Sequence, residues 1–167
     1  MGTTPAAGPP LRLVPMTADE YAACRPLMID SHAEGVAAAT GLPVDETRQS
    51  SERQTDELLP QGVQTADMLL FVGVVADQPV GWVWIGLPRP PDRPDMAWVY
   101  YVAVDPGHRA KGYGRELLLA AERELTGRGV ARLGLNVHGH NTVAVGLYRS
   151  LGFEVTAQQM AKPLPAG

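Results

Sequence analysis

An α/β fold, a mixed sheet with helices packed on its faces, is what the order of apolar runs predicts for this chain. Two observations carry that expectation. The runs Met68 to Ala76 and Val80 to Leu87 are β-prone and joined by the turn Asp77, Gln78, Pro79, which reads as an antiparallel hairpin. Beyond residue 95, β-prone and helical runs alternate, and strand–helix–strand units add further strands to the same sheet. The length, 167 residues with 45% hydrophobic side chains, suits one domain around one core, expected over residues 11–167.

The elements follow in order. Met1 to Pro10 is rich in Gly, Ala, Pro and Thr and lacks the basic and apolar regions of a signal peptide, so residues 1–10 read as a disordered tail. Leu11 to Val14 is a short first strand. Thr17 with Glu20 three residues on forms a capping box that starts a helix through Tyr21, Cys24, Leu27 and Met28. Pro26 lies inside that helix and predicts a kink or an early break. The Ala-rich stretch His32 to Thr40 is ambiguous, and Gly41, Leu42 and Pro43 end it. Asp45 to Leu59 has helical propensity and stops at Pro60, Gln61 and Gly62. After the hairpin, three prolines between Arg89 and Pro94 dictate a loop. Met96 to Val104 is strongly β-prone and is broken by Asp105, Pro106 and Gly107. Gly114 to Arg128 is amphipathic, with Leu117, Leu118, Ala121 and Leu125 on one face, and Gly127 and Gly129 close it. Arg132 to Val137 is a strand. Asn141 to Leu151 is a helix capped by Asn141 and ended by Gly152, and Phe153 to Met160 is a last strand.

Composition excludes several function classes. The formal net charge is −4 and there is no basic stripe for nucleic acid. No apolar run has the length of a membrane span. The single cysteine, Cys24, rules out an internal disulfide and fits a cytoplasmic protein. Cys24 sits in a helical pattern with no Cys or His partner nearby and reads as a small buried hydrophobe.

The chemistry concentrates between residues 102 and 153. From Val102 to Gly114 a strand ends, a tight loop follows and a helix begins. The first turn of a helix leaves backbone N–H groups unpartnered and partly positive, an arrangement that binds phosphate. Gly112 and Gly114 remove side chains where a ligand must approach the backbone, and Arg109 and Lys111 add positive charge. A pyrophosphate-bearing ligand follows. A dinucleotide fingerprint needs a third glycine, where this chain has Leu117, and the Gly-Lys-Ser/Thr of a nucleoside-triphosphate loop is absent.

Position by position, Arg109, Gly112 and Gly114 match R-x-x-G-x-G/A, and this segment resembles the cofactor loop of the GNAT acetyltransferases. A second block strengthens the resemblance: Leu135 and Val137, then Asn141, Ala144, Leu147, Tyr148, Gly152 and Phe153, similar to L-x-V…N-x-x-A-x-x-L-Y-x-x-x-G-F of the same family. Asn141, Ala144 and Tyr148 are spaced i, i+3, i+7 and share one helix face. The resemblance implies a GNAT-like mixed sheet of six or seven strands with helices on both faces. The fourth and fifth strands are expected to part at their C-terminal ends.

The resemblance also implies roles. Acetyl-CoA is the acyl-donor substrate, and no metal takes part. Val102, Ala103 and Val104 offer backbone groups to the pantetheine and the acetyl carbonyl. The loop Arg109, Ala110, Lys111, Gly112, Tyr113, Gly114 holds the pyrophosphate. Asn141 and Ala144 meet the pantetheine arm, and Tyr148 protonates the departing thiolate. The acceptor is an amine on a small molecule or on a protein or peptide, taken up by a monomer or homodimer. An acyl-CoA-binding module with little catalysis is the alternative, and a nucleotide-binding regulator is a third reading.

The general base stays open. The strand Met96 to Val104 contains no carboxylate. Asp95 at its start, Glu34, a water held by Tyr100 or Tyr101, and His138 or His140 are the candidates. Trp82 and Trp84 share one sheet face and Trp98 lies on the neighbouring run; core packing and a substrate-pocket wall are both open for them.

Overall fold

The computed structural model describes residues 9–162 and 164. The expected N-terminal tail lies largely outside the described residues; Pro9 and Pro10 are exposed and without regular structure. The elements are β1 (Arg12–Pro15), α1 (Ala18–Thr40), α2 (Val44–Leu58), β2 (Met68–Val75), β3 (Gln78–Gly86), β4 (Met96–Val104), α3 (Tyr113–Gly127), β5 (Arg132–Leu135) and α4 (Thr142–Ser150). Short 3-10 turns lie at Gly62–Gln64 and Pro106–His108.

The sheet runs β1-β2-β3-β4-β5, antiparallel through β4 and parallel between β4 and β5. It is thus mixed, as expected, but has five strands among the described residues where six or seven were expected. The missing element is the one anticipated over Phe153 to Met160. Phe153 N–H bonds back to the Tyr148 carbonyl, and no strand follows among the described residues. Val155 and Met160 remain 68% and 84% exposed. Phe153, Val155 and Ala157 alternate with polar residues, but no neighbouring strand pairs with them among the described residues, so nothing holds the segment in the sheet.

Helix α1 begins with the predicted capping box: Thr17 Oγ1 accepts from Glu20 N–H, and the Glu20 carboxylate accepts from Thr17 N–H at 2.8 Å. It does not stop at Pro26, and it absorbs the ambiguous stretch to Thr40. Pro26 deletes one backbone bond, yet Met28, Ile29 and Ala33 beyond it are all buried, and that burial carries the helix through. On α2 the residues facing α1 are small and polar. Thr47 donates to the Ala33 carbonyl at 3.0 Å, Ser51 Oγ meets His32 Nδ1 at 2.8 Å, and Thr55 donates to the Ser51 carbonyl at 2.8 Å. Every buried hydroxyl is satisfied, so the two helices approach closely without a polar penalty.

Strand alternation sorts the core into two layers. Leu70, Val72 and Trp84 pack with Met16, Cys24, Met28 and Leu59 under α1 and α2. Phe71, Val83, Ile85, Ala97 and Val99 pack with Ala121 and Leu125 of α3 on the other face. Helices therefore cover both faces. Cys24 is 1% exposed and burial pushes its thiol up to about 12, as a small core hydrophobe would have it. Trp82 and Trp84 both belong to the α1–α2 layer; Trp84 is buried, its indole N–H directed at Met68 Sδ at 3.4 Å, and Trp82 is half-buried at the edge of the cluster.

Leu117 of α3 sits over Gly73 and Gly81, and a Cβ on Gly81 would lie 2.4 Å from the Ala103 carbonyl oxygen and 2.8 Å from Leu117 Cδ1. The backbone oxygen cannot retreat without breaking the β3–β4 ladder. Gly81→Val is expected to cost about 3 kcal/mol, the upper range for an overpacked core. A urea titration checks it: the midpoint should fall with an unchanged slope.

Candidate functional site

Two irregularities in β4 build the site. In the β3–β4 pairing Trp84 faces Tyr101 and Ile85 faces Val99, so Tyr100 is an extra residue in a β-bulge. As a result both Tyr100 and Tyr101 pack toward the α1–α2 layer, while Val99 and Val102 lie toward α3. The second irregularity is on the opposite edge. β5 pairs with β4 from Met96 to Val99 and then ends at Leu135, whereas β4 continues to Val104. Beyond Val99 the β4 edge facing β5 is open, which is the expected parting of the two strands. Val102, Ala103 and Val104 line that opening and are half-buried.

The loop expected to hold pyrophosphate follows directly. Asp105 extends the ladder through its N–H to the Val80 carbonyl and accepts from Gly107 N–H, both at 2.9 Å. Ala110 and Gly112 have φ of 60° and 83°, in the left-handed region. At Ala110 this costs about 1–2 kcal/mol, strain of the kind found where a loop is shaped for a ligand. Gly112 is the N-cap of α3 and has no side chain to satisfy the first N–H groups of the helix. A Cβ at Gly112 would meet nothing within 4 Å, so the turn that opens α3 is not packed over on that side. Arg109 and Lys111 are exposed beside it, with Lys111 Nζ on the Gly107 carbonyl at 3.2 Å. Tyr113 packs at the edge of the Val80–Leu117 cluster. The residues present thus fit a pyrophosphate: unpartnered donors, a free approach and two cations.

Helix α4 borders the same region. Asn141 caps it, its Oδ1 accepting from Ala144 N–H at 3.1 Å, which leaves the side-chain NH2 for another partner. α4 has no buried residue. It is held to α3 by Arg115, which donates to Ser150 Oγ at 2.8 Å, and by Leu147, whose Cδ2 would lie 3.4 Å from a Cβ on Gly114. Arg115 had no distinguishing mark in the sequence, because its partner lies 35 residues away. Tyr148 packs edge-on against Phe153, with centroids 5.7 Å apart, and burial raises its pKa above the usual 10.0. The phenol is therefore held in its protonated form.

The base candidates separate. Asp95 lies at the far end of β4 and faces Arg132 at 3.6 Å. Glu34 is exposed on α1. Tyr100 Oη bonds to Arg93, and burial pushes Tyr101 up to about 12, with the Arg109 charge working against that rise. His138 follows the end of β5, where the strands have parted, and its ring lies against α1, within 2.8 Å of a Cβ built on Gly35. The His140 ring stacks on it at 5.5 Å. Among the described residues no group of three or more His, Cys, Asp or Glu is placed to hold a metal, and no helix is long and apolar enough to cross a membrane.

Comparison with known proteins identifies the family to which this arrangement belongs. Residues 36–153 match the Acetyltransferase (GNAT) family. YycN of Bacillus subtilis (strain 168), an uncharacterized N-acetyltransferase, is 32% identical over 157 residues, spanning 92% of this chain and 99% of YycN. The crystal structure of YycN is similar with a TM-score of 0.86 at 28% identity, covering 93% of this chain and 99% of that one. The ribosomal protein bS18 alanine N-acetyltransferase of Escherichia coli (strain K12) is 43% identical over 74 residues, 44% of this chain and 50% of the relative. The chain belongs to the Acetyltransferase (GNAT) family.

Proposed function

We propose that this chain transfers the acetyl group of acetyl-CoA to an amine by direct attack. The open β4 edge beyond Val99, with the unpartnered N–H groups of the Gly112 loop at its end, carries this reading. The loop from Arg109 to Gly114 binds the pyrophosphate. The arm runs along Val102 to Val104 toward the Tyr100 bulge, with Asn141 and Ala144 across from it. A backbone N–H near Val102 faces the thioester oxygen, where negative charge develops. The amine nitrogen bonds to the acetyl carbon as the carbon–sulfur bond breaks. The amine proton passes to a base, for which His138 has the favoured position beside the parted strands. The thiolate takes the Tyr148 proton. The acceptor is a small-molecule amine or a protein amine; the alanine acted on by the bS18 relative is an example of the second class.

Calorimetry with acetyl-CoA, ATP and NAD, followed by thiol release over a panel of amines, tests this. Binding of acetyl-CoA alone among the three, with thiol release on at least one amine, is expected. Preference for ATP or NAD would replace the reading with a nucleotide-binding regulator. Tight acetyl-CoA binding with no release on any amine would favour the acyl-CoA-binding module, which the absence of a carboxylate within β4 already suits.

A further inference from the structure

Arg93 occupies a position that the transfer chemistry does not use. Its guanidinium carbon lies 5.0 Å from the Trp98 ring centroid and 5.8 Å from that of Tyr100, and its Nη2 donates to Tyr100 Oη at 3.0 Å. Tyr100 is stacked on Trp84 at 4.8 Å. The Arg93 backbone is pinned as well, exchanging two 2.9 Å hydrogen bonds with Arg89. A long, flexible cation is thus fixed by two rings, a phenol and its own loop. Such fixing removes much of the rotamer entropy an arginine ordinarily loses on binding a ligand.

What the guanidinium lacks is a counter-charge. Among the described residues, no carboxylate pairs with Arg93, although it is half-buried. Of its five N–H donors, one is used by Tyr100. Its location matters equally. Trp98 lies across β5, where a Cβ on Gly134 would be 2.7 Å from the indole ring. Arg93 therefore stands over the last paired stretch of β4 and β5, beside the Tyr100 bulge and on the face opposite α3. The thioester reaches the bulge from the other direction, along Val102 to Val104. An amine meeting it there has Arg93 beside it.

We propose that Arg93 binds a carboxylate of the acceptor, so that the acceptor class is an amine bearing a carboxylate a few bonds away. This rests on the acetyl-transfer reading above and names the acceptor chemistry for it. The planar fork receives the carboxylate, Tyr100 and Trp98 hold the fork, and the amine is thereby aimed at the parted strands.

The test needs no knowledge of the natural acceptor. CoA conjugates are prepared in which the sulfur carries –CH2–CO–NH–(CH2)n–COO−, with one, two or three methylenes, each beside its carboxamide twin. At one spacing or more the carboxylate should bind about tenfold more tightly than the amide, as one charge-assisted contact provides. Arg93→Gln should abolish that ratio while binding the amide conjugates as the parent does, and Arg93→Lys should restore part of it. Equal binding of both twins at all three spacings by the parent protein overturns the proposal, whatever the variants do. So does a ratio that survives in a folded Arg93→Gln. If neither CoA nor any conjugate binds, the acetyl-CoA reading itself has failed, and the proposal falls with it.

Discussion

Tyr148→Phe is expected to lower kcat about 10²-fold, the low end for losing a general acid, with acetyl-CoA affinity nearly unchanged. The ring that packs on Phe153 is kept, so the fold and the α4 position stay as they are. Only the proton donor goes. The raised pKa adds a second expectation. An acid whose pKa is raised stays protonated to higher pH, so the midpoint of any activity loss from ionising Tyr148 lies above the ordinary phenol value of 10.0. A pH profile of kcat for the parent enzyme should show no alkaline midpoint from this group below that value. The measurement requires chemistry to be rate-limiting, established by comparing burst and steady-state rates. A kcat within a few-fold of the parent under that condition would reduce Tyr148 to a packing residue.

Gly112→Val is the second large effect, and it acts on the donor substrate. The added side chain enters open space at the N-terminus of α3 and is expected to keep a bound pyrophosphate from the first N–H groups of the helix. Losing two hydrogen bonds to charged oxygens, at about 1.5 kcal/mol each, lowers acetyl-CoA affinity about 10²-fold. The left-handed φ of 83° adds a stability cost of about 1–2 kcal/mol. Gly112→Ala separates the two contributions, because it shares most of the strain and presents a smaller obstacle. Calorimetry should show a much smaller affinity loss for Ala than for Val, beside comparable shifts in the urea midpoint. Equal affinity for the parent and a folded Val variant would remove the loop from the binding site.

The second half of the chain was legible because its signals are local. The Gly112 and Gly114 spacing, the Asn141 cap and the i, i+3, i+7 face of α4 each depend on a few consecutive residues, and all stand where they were read. The α1 capping box is of the same kind. The helix does not break at Pro26, because propensity counts a lost backbone bond but not the burial of Ile29 and Ala33 beyond it. Phe153 to Met160 was misjudged for the converse reason: apolar residues alone do not make a strand without a pleated partner to bury them.

The sequence by itself determined the class of fold, the helix boundaries marked by caps and glycines, and the glycine-shaped entry to α3, because short-range backbone chemistry decides all three. Tertiary structure decided the Tyr100 bulge, the parting of β4 from β5, the clamp of Arg115 on α4 and the seat of Arg93 between Trp98 and Tyr100. Each of these depends on which strand or helix lies alongside. A bulge exists only relative to the partner strand, and an unpaired guanidinium becomes informative only once its neighbours are known.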